Sequence, residues 1–343
     1  SWVVDPKGEY GALAAACGTV PLRVAPGGTV RLNPLDTAPA DRSAGEGGES
    51  VGRVRRQVEL SSSLAEASLR RRLAPSERTA IELAVRRAGA VCDHPTLPDL
   101  VAALLDPDPE LAATVRTDAG GLAADGRQVA LELRRLVQGD LAGMFDGPTS
   151  AGIDLDGPLV VLDLSALYTS PALGILMTCA TAWLQATLLR GDGVKRLVVV
   201  DEAWAILHDL AMARWLQACF KLSRQFGVAN IAVVHRLSDL RSAGGAGSEQ
   251  QRLAEGLLSD SESRVVFGQP PSEVDGARQL LGLTTTEAEL LPQLPRVVAL
   301  WLVGERSFLV ELQLGAAEAR LVDTDAAMLS GKVLTGQALS GQA

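Results

Sequence analysis

Three nearly uninterrupted apolar runs constrain the fold of this 343-residue chain more than any other feature: 159–164 (LVVLDL), 196–201 (RLVVVD) and 229–235. A strand with one wet face alternates apolar and polar residues, whereas a continuous run is a strand covered on both faces. Helical patterns at 171–189 and 207–226 separate the runs, and Gly227 stands where a helix ends in a left-handed residue. Strand, helix, strand, helix, strand predicts an α/β domain with a mostly parallel sheet and helices on both faces. Further strands are expected at 2–5 (WVVD) and 264–268. The runs 297–303 and 307–314, parted only by Gly304-Glu305-Arg306, predict a terminal antiparallel hairpin at the sheet edge.

The middle of the chain has a different character. Residues 37–50 (TAPADRSAGEGGES) are small and Gly-rich and read as a flexible loop. Helical patterns follow at 53–73, 76–88, 97–105 and 125–145, with Pro75 and Pro98 near helix starts, where the missing N–H does no harm. The expected organisation is a split core over 1–36 and 151–330, an all-helical insertion over 37–150 and a disordered tail over 331–343. Ser248 and Gln251 have the spacing of a capping box, and 285–287 reads as a helix start. The uncharged stretch 171–189 contains Thr178, Thr181, Gln185 and Thr187, and reads as a core helix, not a membrane span.

Composition narrows the chemistry. With 41 acidic and 32 basic residues the net charge is −9, against a protein that coats nucleic acid. Four scattered cysteines without a CxxC pair, and three histidines, argue against a zinc site or disulfide framework and for a reducing compartment. The segment from Arg196 to Trp204 is the most informative: an apolar strand ending in Asp201-Glu202. Adjacent carboxylates at the C-terminal edge of a parallel sheet stand where α/β ligands bind. In a nucleotide-hydrolysing protein the first holds Mg²⁺ and the second polarises water. The plainer alternative is a strand end whose charges favour the dipole of the next helix.

Three further segments join it in order: Asp5-Pro6-Lys7-Gly8-Glu9-Tyr10 after a strand, Leu222–Gly227 closing a helix, and His235–Leu240 after the next strand. Together they resemble the conjugative-transfer ATPases of type IV secretion systems, VirB/TraC-like members of the FtsK–HerA division of P-loop ATPases with an actinobacterial flavour. The resemblance covers about 1–36 and 151–330 and implies a RecA-like core that hydrolyses ATP with Mg²⁺. It implies Asp201 as the metal carboxylate, Glu202 as the catalytic glutamate, and His235 in the place of a polar sensor that is commonly Gln. Arg224 matches an arginine presented to a neighbouring subunit's nucleotide, Arg306 is a second such candidate, and Asp5 and Lys7 fall beside the nucleotide. Each also has a plain reading, as a helix-end cation for Arg224 and as turn residues for Asp5 and Lys7. The implied partners are a homo-hexameric ring, other secretion components and DNA, in the cytoplasm at the inner face of the membrane.

One departure is large. None of the four lysines (Lys7, Lys195, Lys221, Lys332) lies in a GxxxxGK[ST] loop, the phosphate cradle of the family. That loop would precede the strand ending in DPKGEY, which is where this chain begins, so a fragment downstream of it, inactive alone, is expected. Two rivals stay open: a non-catalytic assembly subunit that uses the fold as a scaffold, and a DNA-pumping motor for repair or segregation.

Overall fold

The computed structural model describes residues 1–36, 46–151, 153, 157–167, 173, 175–178, 194–207, 210–241 and 247–322. The chain divides into two compact units, Ser1–Pro21 with Gly157–Val161 and Lys195–Ala343, and Leu22–Asp156 with Leu162–Val194.

In chain order the strands are β1 (Trp2–Asp5), β2 (Leu22–Arg23), β3 (Val160–Asp163), β4 (Arg196–Val200) and β5 (Val228–Ala232), which form one sheet in the order β2-β3-β1-β4-β5. The pairs β1–β4, β2–β3 and β4–β5 are parallel. Trp2, Val3 and Val4 of β1 are buried, as an apolar run requires, and Asp5 is buried with them. Helix α1 (Gly11–Ala16) closes one side of this strand: Val3, Ala14, Leu159 and Val161 form a core cluster, with Tyr10, Leu13 and Val199 packed on it.

The second unit carries helices α2 (Glu46–Leu69), α3 (Pro75–Val91), α4 (Leu97–Leu105), α5 (Pro109–Thr114) and α6 (Ala119–Gln138). Ile81, Leu97, Leu100, Leu104, Leu133 and Leu136 are fully buried. Gly126 lets the helices close: a Cβ there would lie 3.1 Å from Leu104 Cδ2 and 3.3 Å from the Ala80 Cβ. The boundaries depart from the sequence reading. Helix α2 begins at Glu46, inside the stretch expected to be loop, because its glycines are continuous with a long helix-forming segment. Helix α6 covers 119–138 instead of 125–145, fixed by Asp118, whose side chain accepts the Gly121 N–H at 2.7 Å.

The first unit continues with α7 (Ala203–Leu207), α8 (Leu210–Phe226), α9 (Leu237–Arg241), α10 (Glu249–Asp260), β6 (Ser263–Phe267), α11 (Val274–Leu281), α12 (Thr285–Leu290), β7 (Val298–Val303), β8 (Arg306–Glu311) and α13 (Ala316–Val322). Gly227 ends α8 with φ +64°, a left-handed residue that turns the chain straight into β5. Thr284 and Glu287 make a full capping box at α12. At α10, Ser248 accepts the Gln251 N–H and Gln251 Oε1 accepts the Gly247 N–H. The hairpin β7–β8 is present, but it joins β6 in a separate antiparallel sheet of order β6-β7-β8 and does not extend the parallel one. Most of 171–189, expected as a core helix, lies outside the described residues, as do 37–45 and 323–343. No helix among the described residues is long and apolar enough to cross a membrane.

Candidate active site

Strand register builds the site. Val4 pairs with Val200, and Val200 with Ala232, so β1, β4 and β5 reach one edge together. Main-chain bonds carry the alignment onward: Asp201 N–H to the Val4 carbonyl (3.1 Å), Val233 N–H to Val200 (2.9 Å) and Ala203 N–H to Val233 (2.9 Å). Asp5, Asp201-Glu202 and the segment leading to His235 thus become neighbours at the C-terminal edge of a parallel sheet. The strand itself stops at Ala232, three residues short of the expected end.

Asp5 is 1% exposed and acts on its own turn. Its Oδ1 accepts the backbone N–H groups of Lys7 (3.2 Å), Gly8 (2.8 Å) and Glu9 (3.1 Å), and Oδ2 that of Tyr10 (3.0 Å). Gly8 has φ +77°, which a residue without Cβ adopts freely. A carboxylate receiving four N–H groups ties DPKGEY into one shape, from which the Lys7 side chain stands out. Of the three residues assigned to the nucleotide on sequence, Asp5, Lys7 and Arg306, Lys7 extends its side chain to Glu202.

Glu202 is the centre of the arrangement. It is 1% exposed and has φ +47°, a left-handed backbone that costs a non-glycine residue about 1 kcal/mol. Asp201 Oδ1 accepts its N–H at 2.8 Å. On the side chain, Oε1 is met by the Lys7 ammonium and by His235 Nε2 at 2.5 Å, while Oε2 accepts the Trp204 indole N–H. Lys7 Nζ and His235 Nε2 lie 3.4 Å apart.

Burial pushes the Glu202 carboxyl up, but Lys7, Trp204 and His235 outweigh it and hold it below the usual carboxylate range. The hydrogen bond to Glu202 raises Lys7 in turn, against burial. Burial raises Glu9; Lys7 opposes this, and Asp201, Asp5 and Glu202 add to it. Tyr10 is pushed far above the ordinary phenol by burial, by the charges of Asp201 and Asp5, and by a hydrogen bond to Asp201.

The remaining candidates lie on other elements. Arg224 lies in the last turn of α8, and its side chain is outside the described residues. Arg306 opens β8, opposite Val303 in the antiparallel sheet, and is exposed. Among the described residues no hydrogen bond or ion pair links Arg306 to the carboxylates. Asp163 accepts the Ser165 N–H (2.9 Å) and hydroxyl (2.6 Å) and pairs with Arg23 Nε at 3.8 Å. Sequence reasoning gave neither Trp204 nor Tyr10 a role. Its only available signal was their position, two residues after Glu202 and five after Asp5.

Asp201 and Glu202 suit a cation and a water molecule. No group of three or more His, Cys, Asp or Glu gathers for a metal ion among the described residues. That fits Mg²⁺, which binds through one or two carboxylates plus substrate phosphates. A phosphate cradle is not in these 343 residues.

The fold and this edge define a RecA-like α/β protein. No family model matches the chain, and no curated protein does. Solved structures do. The chain is similar to VirB4 of Thermoanaerobacter pseudethanolicus, with TM-score 0.69 and 19% identity over 93% of this chain and 83% of that one. It is also similar to the bacterial conjugative coupling protein TrwB, with TM-score 0.54 and 12% identity over 92% and 78%. A plasmid coupling protein TrwB in complex with the non-hydrolysable ATP analogue ADPNP matches at TM-score 0.50 and 15% identity, over 92% and 85%. The RecA-like fold expected from the sequence is thus the fold found.

Proposed function

We propose that the chain is the catalytic-edge portion of an ATP-hydrolysing motor for conjugative DNA transfer or type IV secretion, completed by a phosphate-binding loop outside these 343 residues. The observation that carries this is Glu202, a buried, left-handed carboxylate at the end of a central parallel strand, with Lys7, His235 and Trp204 converging on it. The likeness to VirB4 and TrwB supports the same reading.

Asp201 holds the cation and Glu202 orients and deprotonates the attacking water. His235 senses the terminal phosphate, and Arg224, or less directly Arg306, serves a neighbour's site in a hexameric ring. Mg²⁺ bound at Asp201 would supply neutralising charge to the phosphates. The ring works at the inner face of the membrane with other secretion components and with DNA. A non-catalytic scaffold is the second reading, favoured by the missing GxxxxGK[ST] pattern.

Hydrolysis by a protein that includes the phosphate loop decides between them, and Glu202→Gln in that protein tests the assignment of the base. The change keeps size and hydrogen bonding but removes the charge that activates water. Hydrolysis is expected to fall about 10²- to 10⁴-fold while ATP binding survives. Asp201→Asn weakens Mg²⁺-dependent binding as well. The 343-residue chain alone binds ATP poorly and shows no turnover above background. Wild-type hydrolysis by Glu202→Gln would restore the plain strand-end reading of Asp201-Glu202, and no hydrolysis by the unmutated protein with its phosphate loop would restore the scaffold reading.

A further inference from the structure

The groups that hold Glu202 are its most accessible neighbours. The Glu202 side chain is 2% exposed, against 37% for Lys7 and 58% for His235. Both converge on a single oxygen, Oε1, and their nitrogens are 3.4 Å apart, close enough for one phosphoryl group to bridge. An anion entering from solvent meets these two nitrogens before it meets the carboxylate. The other oxygen, Oε2, is held separately by Trp204. Oε1 is therefore the oxygen left to take a proton from water, and it is covered.

The mounting of Lys7 suits exchange. Asp5 fixes the backbone of the turn through four N–H groups, so that turn does not have to move. The ammonium sits on a flexible four-carbon stem and can swing from one oxygen to another.

We propose that Lys7 is a positioning residue that keeps Glu202 idle: with His235 it covers Oε1, and a phosphoryl oxygen that draws both nitrogens outward uncovers Oε1 for water. This rests on the reading of Glu202 as the water-activating carboxylate. It ties activation of the base to arrival of the group it attacks, so that water is not activated without a target.

Trp204 reports on Glu202 without any turnover. In the ¹⁵N-labelled protein that includes the phosphate loop, its indole N–H resonance is assigned by its disappearance in Trp204→Phe and followed during titration with inorganic triphosphate, with chloride at matched ionic strength as control. Triphosphate is expected to move the Trp204 signal saturably in the wild-type chain. Lys7→Met is expected to move it before any triphosphate is added and to respond little afterwards, and Lys7→Arg to restore the wild-type position. An unmoved Trp204 signal in Lys7→Met overturns the proposal. So does a Trp204 signal that triphosphate leaves unchanged. The activity of Glu202→Gln separates the two levels. Wild-type hydrolysis there sinks the functional reading whatever Trp204 does, whereas lost hydrolysis with an unmoved Trp204 signal in Lys7→Met sinks this inference alone.

Discussion

Glu202 and Glu77 are both buried carboxylates paired with a cation, and they are built differently. Glu77, 6% exposed, lies in the first turn of α3 on ordinary helical backbone. Arg71 grips it with two bonds, of 2.6 and 2.8 Å, and its Oε2 also accepts the Ala74 N–H at 2.8 Å. Arg71 is itself tied to Gln128. Every partner serves the helix start, and the geometry closes on itself. Glu202 instead sits at a strand end on strained backbone, with one oxygen shared by two groups open to solvent. Burial with a cation is therefore no mark of function. Strain, together with the convergence of two groups on one oxygen, sets the second carboxylate apart.

The contrast breaks most visibly if the edge around Glu202 proves inert. Arg224, at the end of α8, offers the largest expected effect after Glu202 itself. An arginine finger stabilises charge on the transferring phosphoryl group, and its loss costs on the order of 10³-fold in rate. A helix-end cation costs well under ~1 kcal/mol and nothing in turnover. Arg224→Ala in the complete protein should bind ATP normally and hydrolyse it very slowly. Mixing it with Glu202→Gln subunits should recover some activity, because one interface then has both an intact glutamate and an intact arginine. Mixed rings as dead as their components would rule out action in trans.

Asp5 tests whether the site's fixed half is as rigid as Glu77's. Asp5→Ala removes one carboxylate acceptor from four N–H groups and should destabilise the chain by about 3 kcal/mol in urea unfolding. A loss below about 0.5 kcal/mol would mean that water replaces the carboxylate freely, and Lys7 would then lack the anchored turn that its swing requires.

Much of the scaffold behind this contrast is legible in the sequence, and the contrast itself is not. Unbroken apolar runs identify β3 and β4; the third run, read the same way, is β5, which ends the sheet order and leaves Ile231 47% exposed, so it is not covered on both faces. The two-residue strand β2 has no period to read. The hairpin could be read locally, but not its union with β6, because strand choice between sheets is decided by packing far along the chain. Likewise Asp201-Glu202 is visible as a strand end. The left-handed Glu202, and the meeting of Lys7 and His235 on one of its oxygens, arise only when β1, β4 and β5 align. Residues 7, 202 and 235 share no local pattern.

Glu77 supplies the smaller tests, beginning with the structural side of the comparison. Glu77→Ala removes the acceptor that caps α3 and should lower stability by about 1 kcal/mol while leaving hydrolysis in the complete protein untouched. A change in turnover would show that the helical unit feeds the site and that the two carboxylates are less distinct than their geometry says.

The smallest effect concerns pH. The Arg71 hydrogen bonds lower the Glu77 carboxyl below its ordinary 4.5, against burial, with the Ala74 N–H adding to them. A depressed folded-state value means that the unfolded chain binds the proton more readily, so stability rises with pH across that interval. Glu77 therefore contributes fully above pH 4.5, and its contribution fades as pH falls through the lower folded value. Glu77→Gln has no such proton to take up. Urea unfolding of wild type and Glu77→Gln should differ most near pH 7 and converge toward pH 3. Arg71 is well exposed and solvent screens the pair, so the convergence should be smaller than the Glu77→Ala loss. A gap that stays constant from pH 7 to pH 3 would mean that Glu77 acts by shape and hydrogen bonding alone. The comparison with Glu202 would then be between a neutral cap and a charged site, not between two ion pairs.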